Sequence, residues 1–444
     1  MKRFFRIPAT FFARIDPVRQ MTMGYFSYVI FGWILLALPI CHTQTGKVTS
    51  LAALFTATSA VSTTGLATVS TGGDFNFLGQ IVILLLIQLG GIGYMTFSSF
   101  VCLARGDVLS ATRQEIGKAV FSLPDEFRIE KFIRSVLKFS FVIEGIGALM
   151  LFFAFRDAGL KNPLWSAVFH SVSAFCTAGF SLYDNSFEGL KGNVAVNVIL
   201  GVLSYAGAVG FIVFIDFWRW IIGKTERITL TSKIIVSMTV WIMCVGTFLF
   251  FISDPLVRQL PPGERLLASW FQVMTASTTV GFNTLPIGAL SHASMLLIIT
   301  LMVIGASPSG TGGGLKTTTF SAVYGVIKSV IRRKNRITVY GREIPEPRLR
   351  SATAALGFYL GILLIGCYLL ALTETQQPFL GLFFEASSAL GTVGLSTGIT
   401  AELSPLGQCI IVMMMFIGRV GPLAFGIALF FHRSQMRRHE DLAV

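Results

Sequence analysis

The chain has 444 residues, 53% of them apolar and only 13% charged, with a net charge of +13 and a mean hydropathy of +0.72. A soluble domain carries about a quarter charged residues and lacks interior volume for this much Leu, Ile, Val and Phe. A soluble multidomain protein, a disordered chain and a disulfide scaffold are therefore excluded, and a polytopic membrane protein is indicated.

Runs of about 20 apolar residues are long enough to cross the hydrocarbon layer as helices, whereas barrel strands would alternate over about 10 residues. In chain order, a basic tail covers 1–21. Pro8, Arg14 and Asp16 interrupt it, so it reads as a tail rather than a cleaved signal. Repeat 1 (22–104) comprises a span at 22–42, a short apolar segment at 51–63 and a span at 78–104. An amphipathic connector at 105–132 is expected along the membrane surface. Repeat 2 (133–222) has spans at 133–156 and 192–218 flanking a short segment at 164–176. Repeat 3 (223–327) has a span at 231–252, a short segment at 266–278 and a run at 293–327 that is interrupted at 305–319. A basic loop (328–350) leads to repeat 4 (351–431), with spans at 351–373 and 405–431 around a short segment at 380–391, and then a tail at 432–444. Eight spans are expected. The four short segments cannot cross and read as re-entrant half-helices.

Of 35 Lys and Arg, 26 fall on one side of these spans and six on the other. The positive-inside rule then puts both termini in the cytoplasm, with the half-helices entering from outside. Lipid headgroups and an acidic cytoplasmic partner account for the basic loops, so no nucleic-acid partner is called for. The six cysteines are scattered and form no CxxC pair, so neither a zinc site nor a disulfide framework is expected.

The half-helices align without gaps: ALFTATSAVSTTGL (53–66), AVFHSVSAFCTAGF (167–180), SWFQVMTASTTVGF (269–282) and LFFEASSALGTVGL (382–395). Four columns are invariant within this chain. They are Phe55, Phe169, Phe271 and Phe384; Ala60, Ala174, Ala276 and Ala389; Thr63, Thr177, Thr279 and Thr392; and Gly65, Gly179, Gly281 and Gly394. A fifth column is always hydroxylated: Ser59, Ser173, Thr275 and Ser388. The glycines lie 114, 102 and 113 residues apart, close to a quarter of the chain. One such segment would be an ordinary small-residue packing surface. Four of them, each between two spans, predict an all-α membrane protein of four span–pore-helix–filter–span units around one central ion pore. Four Thr-x-Gly turns facing one another can present main-chain carbonyls in place of an ion's hydration shell. Glycine permits the positive φ or close backbone approach that such turns need. The half-helices run toward the turns, so their negative dipole ends favour a cation.

Three further features lie within the spans. The stretch GASPSGTGGGLKTTTF (305–320) combines Pro308 with Gly305, Gly310, Gly312, Gly313 and Gly314, which no lipid-facing helix tolerates. It is expected as a loop inside the pore, below the filter. Its Lys316 either lies in the ion path or snorkels to the cytoplasm. Arg419, mid-span in FIGRVGPLAF, either faces the pore or braces a helix through backbone carbonyls. Glu144 is expected to pair with Lys138 or a polar group on a neighbouring helix, and Asp216 to lie near a membrane exit. Thr56, His170, Gln272 and Glu385 share a half-helix column and are expected to brace the filter from behind.

With QLGGIGYMTF (88–97) and FIGRVGPLAFGIAL (416–429), these segments resemble the Trk/Ktr/HKT superfamily of potassium transporters over essentially the whole chain. The likeness is greatest to the KtrB-type membrane subunit, because only about 20 residues precede the first span where TrkH-type subunits carry extra ones. The resemblance implies potassium uptake, a homodimer with one pore per subunit, a cytoplasmic ring of nucleotide-binding RCK-type (KtrA-like) regulatory subunits, and residence in the plasma (inner) membrane. It places K+ on the backbone of Thr63, Thr64 and Gly65; Thr177, Ala178 and Gly179; Thr279, Val280 and Gly281; and Thr392, Val393 and Gly394. It assigns the 305–319 stretch to a gate, and Arg419 to the pore. A potassium channel's Thr-Val-Gly-Tyr-Gly is here shortened. The second glycine is missing from every copy, and Thr64 and Ala178 replace Val in two. Fewer ion sites and a less sharp K+/Na+ discrimination are expected, so a Na+-permeable or Na+-coupled relative stays open. No ATP motif, Arg-rich voltage-sensing span or buried catalytic group of acids and histidines is present, so an enzyme is not expected and no organic cofactor is assigned.

Overall fold

A computed structural model describes residues 17–44, 46, 48–93, 129–333 and 336–430. The connector expected at 105–132 lies almost wholly outside these residues, as do residues 94–104 and most of both tails. Repeat 1 contains α1 (Pro17–Leu36), α2 (Ser50–Val61) and α3 (Phe77–Ile92). Repeat 2 contains α4 (Ile129–Asp157), α5 (Pro163–Phe175), α6 (Val194–Ala208) and α7 (Phe211–Ile221). Repeat 3 contains α8 (Leu230–Ser253), α9 (Pro262–Thr278), α10 (His292–Ile304) and α11 (Thr317–Ile331). A ribbon of β1 (Thr338–Val339) and β2 (Arg342–Glu343) follows; Tyr340 and Gly341 both have positive φ, as a two-residue hairpin turn requires. Repeat 4 contains α12 (Glu346–Thr373), α13 (Phe379–Gly391), α14 (Pro405–Val420) and α15 (Pro422–Phe430).

The four half-helices are α2, α5, α9 and α13, within a few residues of their expected bounds. Each second helix starts on a side-chain cap: Asn76, Asn193, Ser291 and Ser404 accept from the backbone N–H three residues on. Two acids ending first spans hold two of these caps. Asp254 accepts from Ser291 N at 3.0 Å, and Glu374 accepts from Ser404 N at 3.1 Å.

The second spans are not the continuous helices expected at 192–218 and 405–431. α6 and α7 meet at 91°, and α14 and α15 at 94°. The four second helices end at Gly93, Gly210, Gly305 and Gly421, with φ of 87°, 94°, 67° and 94°. A β-carbon is strained at such angles, so the breaks fall on glycine. Among the described residues three helices are long and apolar enough to cross a membrane alone, or five if each bent pair counts as one span. The remaining expected spans fall on α1, on α3 and on the interrupted α10–α11.

The distribution of polarity is inverted relative to a soluble protein. Phe141, Ile146 and Leu149 of α4, Trp241 and Phe248 of α8, and Leu364, Ile365 and Tyr368 of α12 are exposed. Ser59, His170, Gln272, Glu385 and the filter threonines are buried. The fold is that of a chain solvated by lipid outside and carrying its polar groups on an inner axis.

Candidate cation site

The site is assembled from the C-terminal ends of the four half-helices. After each helix the chain turns on a left-handed threonine: Thr63, Thr177, Thr279 and Thr392 have φ of 52°, 50°, 60° and 49°. Two residues on, Gly65, Gly179, Gly281 and Gly394 have φ of 93°, 67°, 86° and 92°. The intervening residue in each case donates back to the hydroxylated column: Thr64 N to Ser59 O, Ala178 N to Ser173 O, Val280 N to Thr275 O and Val393 N to Ser388 O, at 2.8–3.1 Å. Side chains tighten three turns. Gly65 N donates to Ser59 Oγ and Gly394 N to Ser388 Oγ, both at 3.0 Å, and Ser173 Oγ donates to Phe180 O at 2.8 Å. The invariant Phe and Ala columns are fully buried and seat the helices.

These turns close a ring. A β-carbon on Gly65 would strike the carbonyl oxygen of Ala178. One on Gly179 would strike that of Val280, one on Gly281 that of Val393, and one on Gly394 that of Thr64. Each added carbon would also lie 3.0–3.2 Å from the Cα of the next glycine. Repeats 1, 2, 3 and 4 thus abut in cyclic order, and glycine is required because the next turn's backbone fills the side-chain space. Above the ring, all four glycines open onto a cavity of about 430 Å3 whose lining also includes Ser70, Asp184, Asn283 and Ser396.

Below the ring lies the loop joining α10 to α11; it meets three of the four threonines, and Arg419 meets the fourth. Thr311 Oγ1 is 3.1 Å from Thr177 Oγ1, and Gly313 N donates to Thr279 Oγ1 at 3.1 Å. Gly313 packs so closely on Thr392 that a β-carbon there would strike its hydroxyl. Arg419 donates to Thr63 Oγ1 at 2.9 Å, to the carbonyl of Thr311, and to the carbonyl of Gly90 on α3. Arg419 therefore braces through backbone carbonyls, beside the ring. Lys316 occupies the N-cap position of α11 at the end of this loop. Its Nζ turns back onto the loop, donating to Gly312 O at 2.5 Å. Gly305 and Gly314 have φ of 67° and 75°, and the Pro308 carbonyl fills the side-chain space of Gly210.

Two residues of the half-helix column make bracing hydrogen bonds, whereas the buried Thr56 Oγ1 and the Gln272 side-chain amide have no hydrogen-bond partner among the described residues. Glu385 accepts from Ser396 Oγ, Thr397 N, Thr397 Oγ1 and Thr400 Oγ1 at 2.7–3.2 Å, pinning the segment that follows the fourth turn. His170 lies between Ser166 O and Ser181 Oγ in the same place of repeat 2. Glu144 pairs not with Lys138 but with Gln88 of α3, at 2.9 and 3.1 Å. Asp216 is buried and accepts from Thr229 N at 2.8 Å.

A ring of glycine turns on the inner axis of a lipid-solvated helical fold, with a loop against its underside, belongs to a class of ion-translocating membrane proteins. The TrkH family of cation transport proteins matches residues 14–437, and the chain belongs to that family. Its members are transport proteins rather than enzymes. The chain is 35% identical to the Ktr system potassium uptake protein B of Bacillus subtilis, over 93% of this chain and 92% of that protein. It is 34% identical to the potassium/sodium uptake protein NtpJ of Enterococcus hirae, over 92% and 91%. Its fold matches the crystal structure of the potassium transporter TrkH from Vibrio parahaemolyticus with a TM-score of 0.72 at 19% identity, over 92% of this chain and 85% of that one.

Proposed function

We propose that the chain is the ion-conducting membrane subunit of a potassium uptake system. K+ enters the outer cavity, sheds water at the ring and is held by main-chain oxygens of Thr63–Gly65, Thr177–Gly179, Thr279–Gly281 and Thr392–Gly394. The observation that carries this reading is the cyclic abutment of four left-handed glycine turns, each occupying the side-chain space of its neighbour. The loop at 305–316 obstructs the inner mouth and acts as the gate, held by Arg419 and Lys316. Order–disorder or swinging of that loop opens the path, under control of a cytoplasmic nucleotide-binding ring of the RCK type. The protein works as a homodimer in the plasma membrane, with both termini in the cytoplasm. The name of the Bacillus relative, a component of a Ktr system, supports the partner, and the excess of Lys and Arg on one side supports the orientation.

A second reading is favoured by the Enterococcus relative, a potassium/sodium uptake protein. In it the same ring passes or couples Na+. Uptake of K+ and Na+ by liposomes holding the purified chain separates the two. Selective K+ uptake supports the first reading and comparable Na+ uptake the second. In the same assay Gly65→Ser, Gly179→Ser, Gly281→Ser and Gly394→Ser should each weaken the preference for K+ by about tenfold, because the new Cβ displaces the next turn's carbonyl. Unchanged selectivity in all four variants removes the filter assignment.

A further inference from the structure

The elbow between α6 and α7 and the loop below the filter share their backbone hydrogen bonds. Breaking a helix leaves the last carbonyls of one half and the first N–H groups of the other without intrahelical partners. Here the loop supplies them. Thr311 N donates to Gly207 O and Ser307 N to Ala208 O, both at 3.1 Å. In return Phe211 N donates to Ser309 O, and Ile212 N to Ser309 Oγ, both at 3.3 Å. A β-carbon on Gly210, at the corner, would strike the carbonyl of Pro308. The loop belongs to repeat 3, but repeat 2 shares in holding it alongside Arg419, and a loop that leaves the threonine ring must break these bonds to the elbow.

α7 leaves the elbow at 91° to α6, so it runs along the membrane rather than across it. Its first half is buried, and Asp216 ties it to the start of α8. Its second half presents Phe217, Trp218, Trp220 and Ile221, between 45% and 63% exposed. Arg219 lies among them, and the exposed Lys224 and Arg227 follow. Aromatic and aliphatic side chains beside basic ones, on a helix at right angles to a span, are the composition of a helix in the headgroup layer. The charge complements anionic lipid, and the count of basic residues puts this segment on the cytoplasmic side.

We propose that α7 is seated in the cytoplasmic headgroup layer, with Trp218 and Trp220 at the acyl boundary and its basic residues on anionic headgroups, and that this seating holds the loop under the filter. The proposal rests on the gate reading above. The test uses the full-length purified chain in vesicles of phosphatidylcholine, alone or with phosphatidylglycerol. Lipids brominated either near the headgroup or at the chain end quench tryptophan fluorescence, and Trp218→Phe and Trp220→Phe variants isolate the two signals. Shallow bromines should quench both tryptophans more than deep ones do. Equal or absent quenching, as when a second copy of the chain covers α7, overturns the placement. K+ flux should fall at least about threefold as phosphatidylglycerol is added, and Lys224→Gln with Arg227→Gln should abolish that dependence while leaving flux in phosphatidylcholine unchanged. Wild-type flux indifferent to the anionic lipid, or a double variant that keeps the dependence, overturns the coupling. Quenching does not depend on ion selectivity, so this proposal can fail while the filter assignment stands.

Discussion

Arg419 concentrates more of the site's geometry than any other single side chain. Its guanidinium joins three repeats, reaching Thr63 of the first turn, Thr311 of the loop and Gly90 of α3. A planar fork with five donors suits this work, and an ammonium does not. Charge-assisted bonds to carbonyls are worth roughly 1.5–3 kcal/mol each, so Arg419→Gln should release the loop and raise basal K+ flux in liposomes by about tenfold or more. Arg419→Lys, which keeps the charge and loses the fork, should give an intermediate flux; flux equal to the parent in both would deny the latch. Glu385 is the opposite case, a bracing residue with no exposure. Its four donors would be stranded by Glu385→Ala, each at a cost of about 1–3 kcal/mol. The purified variant should melt well below the parent, whereas Glu385→Gln, which still accepts, should recover part of the loss.

The half-helices and their turns were legible in the sequence because their columns align without gaps, and Phe, Ala, Thr and Gly recur at fixed offsets. The breaks in the second helices were not legible, except in repeat 3. Gly93, Gly210 and Gly421 sit inside apolar runs, where a hydropathy window registers only continuity. They follow their filter glycines by 28, 31 and 27 residues, so no gapless alignment brings them together. Gly305 was visible only because Pro308 and three adjacent glycines accompany it. The interrupted element yields its own prediction. Deleting Gly312–Gly314 removes the contacts with Thr279 and Thr392 and should raise flux in the absence of any cytoplasmic partner. A deletion that lowers flux while the purified protein keeps its helicity would count against a gate.

At the scale of the molecule, four hydrophobic clusters each join neighbouring quarters, and the polar groups converge where the quarters meet. Such a body has a definite orientation in the bilayer. Reporter tags at the two termini should both be protected from protease added outside intact cells, and both be cleaved after permeabilisation. One exposed terminus would overturn the span count. The eight-span reading itself came from hydropathy alone; three helices satisfy it unaided, and the others do so only through bends, interruptions or residues beyond those described.

Because one polypeptide contributes every quadrant of the ring, a single codon change alters one quadrant in four. Thr64, Ala178, Val280 and Val393 already differ from quadrant to quadrant, a freedom closed to an assembly of identical subunits. Under the proposed filter role, ion preference can therefore drift in quarter steps. It also allows one quadrant to specialise, as the third has done in packing the loop of its interrupted helix against the threonines of its neighbours.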